Sequence, residues 1–403
     1  MWDPWVTRQL TVRDLLVHRS GLGLGAGDLL WWPRSTYTRR QIAERLGQLQ
    51  PVASFRSAYA YDNVLYLVAG EVIEAVSGQP WEDFVQARLL APLGMTESAT
   101  RSSAAAAAAN LATPHARVDG TVRAIARFES DTVNPAGGII TSAADVAKWL
   151  GTFLARGQLP SGDRLYSERT ATELEAPVTP MSPGRVRPGL EAARANFLFY
   201  ALGLNVRDYR GRRVLTHTGG LPGYVSRVLW MPDLRLGIAV LTNQESGAAF
   251  DALVNSILDA YLGVSDTDWF TGYQRAIEQT EQLRSSQAQD RRAARDQSSA
   301  PSLALEKYAG TYRDAWYGDV GLALEDGRLV MRFTRTPALT GDLEHWQHDT
   351  FVVKWRDREL RADAFVTFAL TPDGAVDQAK MRAVSTETDF SFDFQDLRLE
   401  RQP

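Results

Sequence analysis

Four short apolar segments that follow one another between residues 197 and 242 constrain the fold most strongly. They cover about 197–207, 212–217, 224–231 and 236–242. Residues 224–231 largely alternate between apolar and polar in the strand manner, and Pro232 and Asp233 then turn the chain into the next segment. Helical segments precede and follow them, at about 38–49, 62–77, 80–90, 142–157 and 247–262. The pattern predicts an α+β fold in which helices pack against an antiparallel sheet.

The composition changes after this sheet. Residues 270–300 are charged and rich in glutamine, which predicts a solvated helix and then a linker. From about residue 305 short strands alternate with turn signals, and Asp326-Gly327 is a strong hairpin signal. Phe390, Phe392 and Phe394 alternate with polar residues, which predicts a strand with one buried face. We therefore expect domains at 1–262 and 305–403, the second a small antiparallel β-barrel, joined by a segment at 263–304.

Composition limits the classes of function. The chain has 403 residues and is 44% apolar, so it is long enough for two domains with a substantial core. A net charge of -4 gives no sign of a nucleic-acid partner, and zero cysteines exclude disulfides, thiolate metal sites and cysteine nucleophiles. No apolar run approaches the roughly 18 residues of a membrane span.

Two short motifs carry the candidate chemistry. His217-Thr218-Gly219-Gly220 stands between two predicted strands, and its paired glycines let a ligand approach the backbone closely. Tyr61-Asp62-Asn63 stands at the head of an apolar helix that Gly78 ends. A helix N-terminus favours negative charge and so assists loss of the Tyr61 proton. Because a free tyrosine has a pKa near 10, Tyr61 also needs a cationic neighbour to act as a base.

These two motifs, in this order, resemble the second and third motifs of the penicillin-recognising serine hydrolases. That family includes class C β-lactamases, D-Ala-D-Ala carboxypeptidases, related esterases and D-aminopeptidases. Flanking segments at 10–22, 91–95 and 135–142 are also similar to the family, and the resemblance covers about residues 1–262. The C-terminal region resembles the lipocalin-like domain that some of these hydrolases carry, through residues 308–312, 316–319 and 389–394. The resemblance implies a β-lactamase/transpeptidase-like fold.

The resemblance also implies roles for individual residues. In the family a serine attacks the substrate carbonyl, a lysine and Tyr61 would move its proton, and Asn63 would bind the substrate amide or the lysine. The backbone N–H of Gly220 would help to form the oxyanion hole. His217, Thr218 and Gly219 would bind the substrate. No cofactor or metal is implied, and the implied partner is a small-molecule or peptide substrate.

The nucleophile motif, Ser-x-x-Lys, is absent from the chain. The sequence has four lysines, and the residues three places before them are Asp145, Ala304, Phe351 and Asp377. Ser20 has neither a lysine three places on nor a Gly-x-Ser-x-Gly elbow, so it does not replace the nucleophile. In the family the nucleophile helix precedes the segment that here begins at Leu10. We therefore expect a chain truncated at its amino end and inactive as given, from a protein that the resemblance places in the periplasm or outside the cell.

His217 stands where many β-lactamases have lysine. A lysine is a permanent cation suited to a substrate carboxylate, whereas histidine is mostly neutral at pH 7. We therefore expect a hydrolase of small peptides, amides or esters, D-residue peptides among them, with β-lactam hydrolysis at most secondary. The alternative is a noncatalytic ligand-binding or scaffold relative that retains the cleft.

The other histidines suggest no site. His345 and His348 lie three apart on a predicted strand and would face opposite sides, so we do not expect them to bind one metal. His18 and His115 have the sequence context of ordinary loop or helix-end residues.

Overall fold

The computed structural model describes residues 1–403 and contains eleven α-helices. They are α1 (Pro4–Gln9), α2 (Val12–Leu15), α3 (Arg39–Arg45), α4 (Val64–Ser77), α5 (Trp81–Val85), α6 (Ser102–Ala106), α7 (Asn134–Gly137), α8 (Ala143–Leu154), α9 (Glu168–Leu174), α10 (Gly247–Leu262) and α11 (Trp269–Ala293). None of them is both long enough and apolar enough to cross a membrane.

Local capping chemistry sets several of the helix ends. Thr11 begins α2 with a reciprocal capping box, in which its hydroxyl accepts from the Asp14 N–H and the Asp14 carboxylate accepts from the Thr11 N–H. Ser142 caps α8 by accepting from the Asp145 N–H. Gly78 ends α4 at a φ of 69°, a left-handed conformation that glycine adopts without penalty. Residues that commonly start or end helices therefore cap these helices in the structure.

Six strands form the first sheet, as an antiparallel meander in chain order. They are β3 (Thr179–Met181), β4 (Leu198–Tyr200), β5 (Asn205–Tyr209), β6 (Arg212–Leu221), β7 (Tyr224–Met231) and β8 (Leu236–Thr242), and they follow a separate hairpin of β1 (His115–Val118) and β2 (Thr121–Ala124). Helices α8 and α10 pack on this sheet. The α+β prediction is confirmed.

The remaining eight strands close into an antiparallel barrel. They are β9 (Gly310–Asp314), β10 (Gly318–Glu325), β11 (Arg328–Phe333), β12 (Thr340–Gln347), β13 (Thr350–Trp355), β14 (Ala364–Leu370), β15 (Val376–Ala383) and β16 (Leu399–Arg401). Asp326-Gly327 turns β10 into β11, as the hairpin signal predicts. Large side chains such as Phe333, Phe351 and Trp355 are buried together in the core. The predicted small barrel is confirmed.

The barrel and the amino-terminal helices share one hydrophobic core. A single cluster of 40 buried residues includes Leu29 and Trp31 from the amino-terminal part as well as Trp355 and Phe394 from the barrel. The same junction also contains polar contacts, such as the hydrogen bond that the Tyr37 hydroxyl donates to the Tyr317 carbonyl. We call residues 389–394, which connect β15 to β16 and lie in this junction, the junction loop.

The junction loop corrects one prediction. The alternating phenylalanines predict a strand, but residues 389–394 form turns with no strand pairing. Asp389 accepts the Ser391 N–H, and Asp393 accepts two backbone N–H groups from residues 27 and 29. These carboxylates offer the backbone an alternative to a strand ladder, as aspartate does in turns. Phe392 and Phe394 are buried, whereas Phe390 is 41% exposed.

Two smaller differences concern the sheet. The pattern predicts one strand at 197–207, but a turn at residues 201–204 divides it into β4 and β5. Residues 158–195, for which no element is predicted, contain α9 and β3. Both are short elements whose pairing depends on distant neighbours rather than on local periodicity.

Candidate active site

His217 lies on a strand edge that is open to a ligand. On one side, β6 pairs with β7 as far as residue 221, whereas on the other side β5 reaches only Thr216. Residues 217–220 therefore lack a strand partner on the β5 side. Thr218, Gly219 and Gly220 are exposed, and His217 is partly buried. An open edge of this kind can accept an extended peptide by main-chain hydrogen bonding.

Two hydrogen bonds fix the protonation of His217. Its Nδ1 lies 2.6 Å from the Thr218 carbonyl oxygen, which can only accept, so Nδ1 carries the proton. Its Nε2 lies 3.0 Å from the Tyr200 hydroxyl, which donates to it. Burial lowers the pKa of His217, and the hydrogen bond to Thr218 only partly opposes that shift. His217 is therefore a neutral Nδ1–H imidazole at neutral pH.

Replacing Tyr200 by phenylalanine is expected to raise the pKa of His217. The hydroxyl donates to the unprotonated Nε2, so it stabilises the neutral ring, and its loss removes that stabilisation. Imidazole ¹⁵N chemical shifts followed through a pH titration report both the tautomer and the midpoint, with His217→Gln to assign the signal. Tyr59→Phe is the matched control, because Tyr59 makes no hydrogen bond to His217. An unchanged titration in Tyr200→Phe would contradict the assignment.

Tyr61 lies close to His217, and we call the region around these two residues and the open edge at 217–220 the cleft. The two ring centroids are 6.2 Å apart, so the structure brings together the two motifs that the sequence analysis singled out. Burial raises the pKa of Tyr61, with further contributions from Tyr59 and Asp28. The helix N-terminus is expected to lower the pKa of Tyr61, but burial outweighs that effect. The helix α4 begins only at Val64, and the phenol is largely buried. In this arrangement Tyr61 is a neutral phenol.

His18 corrects the expectation of an ordinary loop residue. It is completely buried and its ring lies 4.2 Å from that of Tyr61 and 4.5 Å from that of Tyr200. Its Nδ1 accepts the Asp62 N–H, while its Nε2 has no hydrogen-bond partner. Burial, reinforced by the proximity of His217, lowers the pKa of His18 to about 3. A neutral histidine thus forms the floor beneath Tyr61.

Asn63 is directed towards the junction with the barrel. Its Nδ2 donates to Asp28 Oδ2 at 2.8 Å, and the same carboxyl oxygen accepts the Ser391 hydroxyl at 2.8 Å. Burial raises the pKa of Asp28 to about 7. The Trp31 indole donates to the other carboxyl oxygen at 3.0 Å. Asp28 therefore connects Asn63 to a residue of the barrel domain.

The junction loop also reaches the cleft itself. Phe390 lies edge-on against Tyr61, with 6.0 Å between the ring centroids. The backbone approaches closely here, since a Cβ on Gly25 would lie 2.7 Å from the Phe390 ring. The Gly25 N–H in turn donates to the Tyr61 carbonyl at 2.8 Å. The barrel therefore contributes one wall of the cleft.

The glycines of the open edge differ in the space around them. A Cβ on Gly219 would meet the Ser226 hydroxyl at 2.6 Å, whereas one on Gly220 would meet nothing within 4 Å. Gly220 therefore has free space on the side where a side chain would stand. The Thr218 side chain is also exposed on this edge.

Neither a serine nucleophile nor a lysine lies in the cleft. Ser20 is 3% exposed, and its hydroxyl accepts the Leu22 N–H and lies 3.5 Å from Asp62. Lys148, on α8, donates to Asp145 at 2.7 Å. The other three lysines belong to the region after residue 304.

Four residues of the site were missed by sequence reasoning. They are His18, Asp28, Tyr200 and Phe390. The only local signal in the sequence is that His18 stands just before a glycine-rich loop. The roles of the other three residues depend on contacts with residues far along the chain.

The amino-terminal part matches a known family. Residues 3–261 match the β-lactamase family, which is more than half of the chain. The chain belongs to the β-lactamase family. The expected resemblance is thereby confirmed. Residues 294–401 of this β-lactamase-family chain match a second family, described as a domain of unknown function, DUF3471.

Individual relatives are hydrolases and a penicillin-binding protein. The chain is 27% identical to the unguisins hydrolase ungD of Aspergillus violaceofuscus, over 92% of this chain and 69% of that protein. It is 25% identical to penicillin-binding protein 4 of Amycolatopsis lactamdurans, over 62% and 63% of the two chains. It is 27% identical to the D-aminopeptidase of Brucella anthropi, over 66% and 47%. The chain thus spans about half to two thirds of the length of these relatives.

Solved structures show the same fold. The octameric penicillin-binding protein homologue from Pyrococcus abyssi superposes with a TM-score of 0.53 at 17% identity, over 98% of this chain and 81% of that one. SurE superposes with a TM-score of 0.51 at 23% identity, over 97% and 79%. Because both likenesses extend over nearly the whole chain, they include the barrel as well as the sheet.

Proposed function

We propose that this chain forms the substrate-binding part of a serine hydrolase that cleaves small peptides, amides or esters, D-residue peptides among them. The reaction passes through an acyl-enzyme, and β-lactams are at most secondary substrates. The nucleophile and its lysine come from a Ser-x-x-Lys segment that this sequence does not contain, so the chain as given does not turn over. Relatives that are named as an unguisins hydrolase and a D-aminopeptidase support this choice of bonds.

The neutral state of His217 is the observation that carries the substrate preference. Its ring donates to Thr218 and accepts from Tyr200, and burial lowers its pKa, so it offers no positive charge at the open edge. A penicillin presents a carboxylate that a permanent cation would bind strongly. An uncharged edge instead favours substrates whose main chain supplies hydrogen-bond donors and acceptors.

The cleft wall formed by the barrel supports small substrates. Phe390 stands against Tyr61 and narrows the space in front of the phenol. A ligand that lies along residues 217–220 therefore meets an apolar ring from the junction loop. An apolar side chain of a short peptide suits that contact.

The chemistry is that of acyl transfer. The supplied serine Oγ bonds to the substrate carbonyl carbon while its proton passes through the lysine and Tyr61 to the leaving nitrogen or oxygen. The Gly220 N–H donates to the oxyanion that forms. Water then attacks the acyl-serine ester, which releases the acid and restores the serine. A lysine ammonium beside Tyr61 would also lower the pKa of Tyr61, which burial raises.

The test compares the chain alone with the same chain carrying a Ser-x-x-Lys segment added at its amino end. The chain alone is expected to give no fluorophosphonate or fluorescent-penicillin label. The extended protein is expected to cleave D-alanine p-nitroanilide or p-nitrophenyl acetate with a higher kcat/KM than nitrocefin. Tyr61→Phe should lower that kcat/KM by about 10²–10⁴-fold, the usual range for a general acid–base group. Tyr59→Phe, which removes a neighbouring phenol, should leave it nearly unchanged.

The alternative is a noncatalytic ligand-binding relative. The raised pKa of Tyr61 and the absence of a cation beside it favour this reading for the chain as given. An extended protein that binds peptides saturably but turns none over would establish the alternative. Efficient penicillin turnover without peptide or ester cleavage would refute both.

A further inference from the structure

A pocket outside the cleft collects three arginines and two aromatic rings. It lies between the end of α11 and the outer face of the barrel, and its volume is about 270 Å³. Arg291 and Arg295 enter from the helical side, whereas Arg382, Trp346 and Phe365 belong to barrel strands. We call these five residues the arginine pocket.

The three guanidinium groups stack on the aromatic rings. Arg295 lies 5.0 Å from the Trp346 ring centroid, and Arg382 and Arg291 lie 5.4 and 5.9 Å from that of Phe365. Phe365 is buried and Trp346 is half-buried. Stacking holds the planar guanidinium groups in place and leaves their N–H edges available to a ligand.

No carboxylate neutralises these charges. None of the three arginines forms a salt bridge, whereas arginines elsewhere in the chain, such as Arg39 and Arg210, do. No acidic residue lines the pocket. Three positive charges in one concavity repel one another, and an anion that enters would relieve that repulsion.

Attachment of α11 to the barrel explains two of the arginines in part. Arg291 donates to the Val384 carbonyl, and Arg295 donates to the Trp346 carbonyl at 2.6 Å and to the His345 carbonyl at 3.2 Å. Arg291 thus uses one of its five guanidinium N–H donors, and Arg295 uses two. The Arg382 side chain makes no hydrogen bond within the protein, so attachment of the helix does not account for it.

We propose that the arginine pocket binds a small organic anion with a flat aromatic body. The carboxylate or phosphate head accepts from the guanidinium groups, and the aromatic body lies along the half-buried Trp346. The barrel core is filled with side chains such as Trp355 and Phe351, so this outer pocket, rather than the barrel interior, is the ligand site of the C-terminal domain. The proposal is independent of hydrolysis in the cleft.

Titration calorimetry of the whole chain at about 0.01 M ionic strength, where screening is weak, tests this. The probes are 1-naphthoate, 1-naphthyl phosphate, inorganic phosphate and cyclohexanecarboxylate. Saturable binding of a naphthyl anion is expected, at least about 10-fold tighter than either inorganic phosphate or the non-aromatic carboxylate. Comparison of naphthoate with naphthyl phosphate identifies the preferred head group. Affinity should fall as salt is added.

Arg382→Gln is the decisive variant, because the Arg382 guanidinium contacts the Phe365 ring but forms no hydrogen bond or salt bridge whose loss would disturb folding. It should weaken naphthyl-anion binding by about 10-fold or more, the loss of one charge-assisted hydrogen bond, with an unchanged Tm. Arg382→Lys keeps the charge but not the planar fork of donors, so its affinity for the naphthyl anion should lie between those of the wild type and Arg382→Gln. Arg292→Gln is the matched control, since Arg292 is exposed on the same helix and does not line the pocket.

Three results would overturn the proposal. One is no saturable binding of either naphthyl anion up to about 10 mM, an affinity too weak for a built site. The second is equal binding by the wild type and Arg382→Gln. The third is equal binding of cyclohexanecarboxylate and naphthoate, which would exclude an aromatic slot.

Discussion

Asp393→Ala is expected to lower the free energy of unfolding by about 3–5 kcal/mol, because two buried donors lose their acceptor at once. The Gly27 N–H donates to Asp393 Oδ2 at 2.6 Å, and the Leu29 N–H donates to Oδ1 at 3.1 Å. Asp393 is completely buried, so water does not replace the carboxylate. The hydrogen bond between Gly27 and Asp393 joins residues 366 positions apart and lies in the junction, so its loss weakens the junction itself.

Urea unfolding followed by both circular dichroism and tryptophan fluorescence measures this effect. Because the barrel and the amino-terminal helices share one core, both probes should report the same shifted transition. Asp393→Asn retains one carbonyl oxygen and should cost less than alanine. Ser391→Ala removes a single hydroxyl donor and should cost about 1 kcal/mol. A loss below about 1 kcal/mol for Asp393→Ala would show that the junction does not depend on this carboxylate.

The second large effect is a change of stability with pH at Asp28. Burial raises its pKa from 3.8 to about 7, so the folded state binds the proton more tightly than the unfolded chain. The stabilisation is complete below pH 3.8 and is lost as the pH rises through about 7. By linkage, we expect the wild type to lose about 2–4 kcal/mol relative to Asp28→Asn between pH 4 and pH 8.

His18 makes the comparison with a variant necessary. Burial lowers the pKa of His18 from 6.5 to about 3, so the unfolded chain binds that proton more tightly. Its contribution is complete above pH 6.5 and is lost as the pH falls towards 3, which opposes the effect of Asp28 over the same range. Burial also raises the pKa values of Asp62 and Asp393, so the wild-type curve sums several contributions. The difference between the two proteins reports the part that depends on Asp28.

Unfolding free energies at five or six pH values give that difference. Asp373→Asn, at an exposed turn of the barrel, is the matched control and should run parallel to the wild type. Parallel curves for Asp28→Asn and the wild type would mean that Asp28 does not hold its proton in the folded state.

Local patterns were sufficient to predict the architecture. Alternation along residues 224–231, and the Asp326-Gly327 turn, both correspond to hairpins in the structure. Such signals succeed because strand pairing across a short turn depends on nearby residues. The same reasoning misread residues 390–394, since the partners of Asp393 lie more than 360 positions away and no local period encodes them.

The candidate site was predictable in part for the same reason. The two motifs that contain Tyr61 and His217 do lie opposite each other, as their resemblance to the family implies. Their electrostatic state was not predictable, because it depends on burial against His18 and on the hydroxyl of Tyr200. Asn63 likewise is expected to bind the substrate amide or the lysine, and no local pattern encodes its hydrogen bond to Asp28, which also accepts the Ser391 hydroxyl of the junction loop.

The fit of Phe390 over Gly25 has a consequence for how such proteins change in evolution. Any side chain at position 25 would collide with that ring, and residues 27 and 29 donate to the same loop. A gene fusion that exchanged the C-terminal domain alone would bring a foreign loop against this backbone. We expect the 25–31 segment and residues 389–394 to be inherited together, so that chimaeras between relatives fold only when both come from one parent.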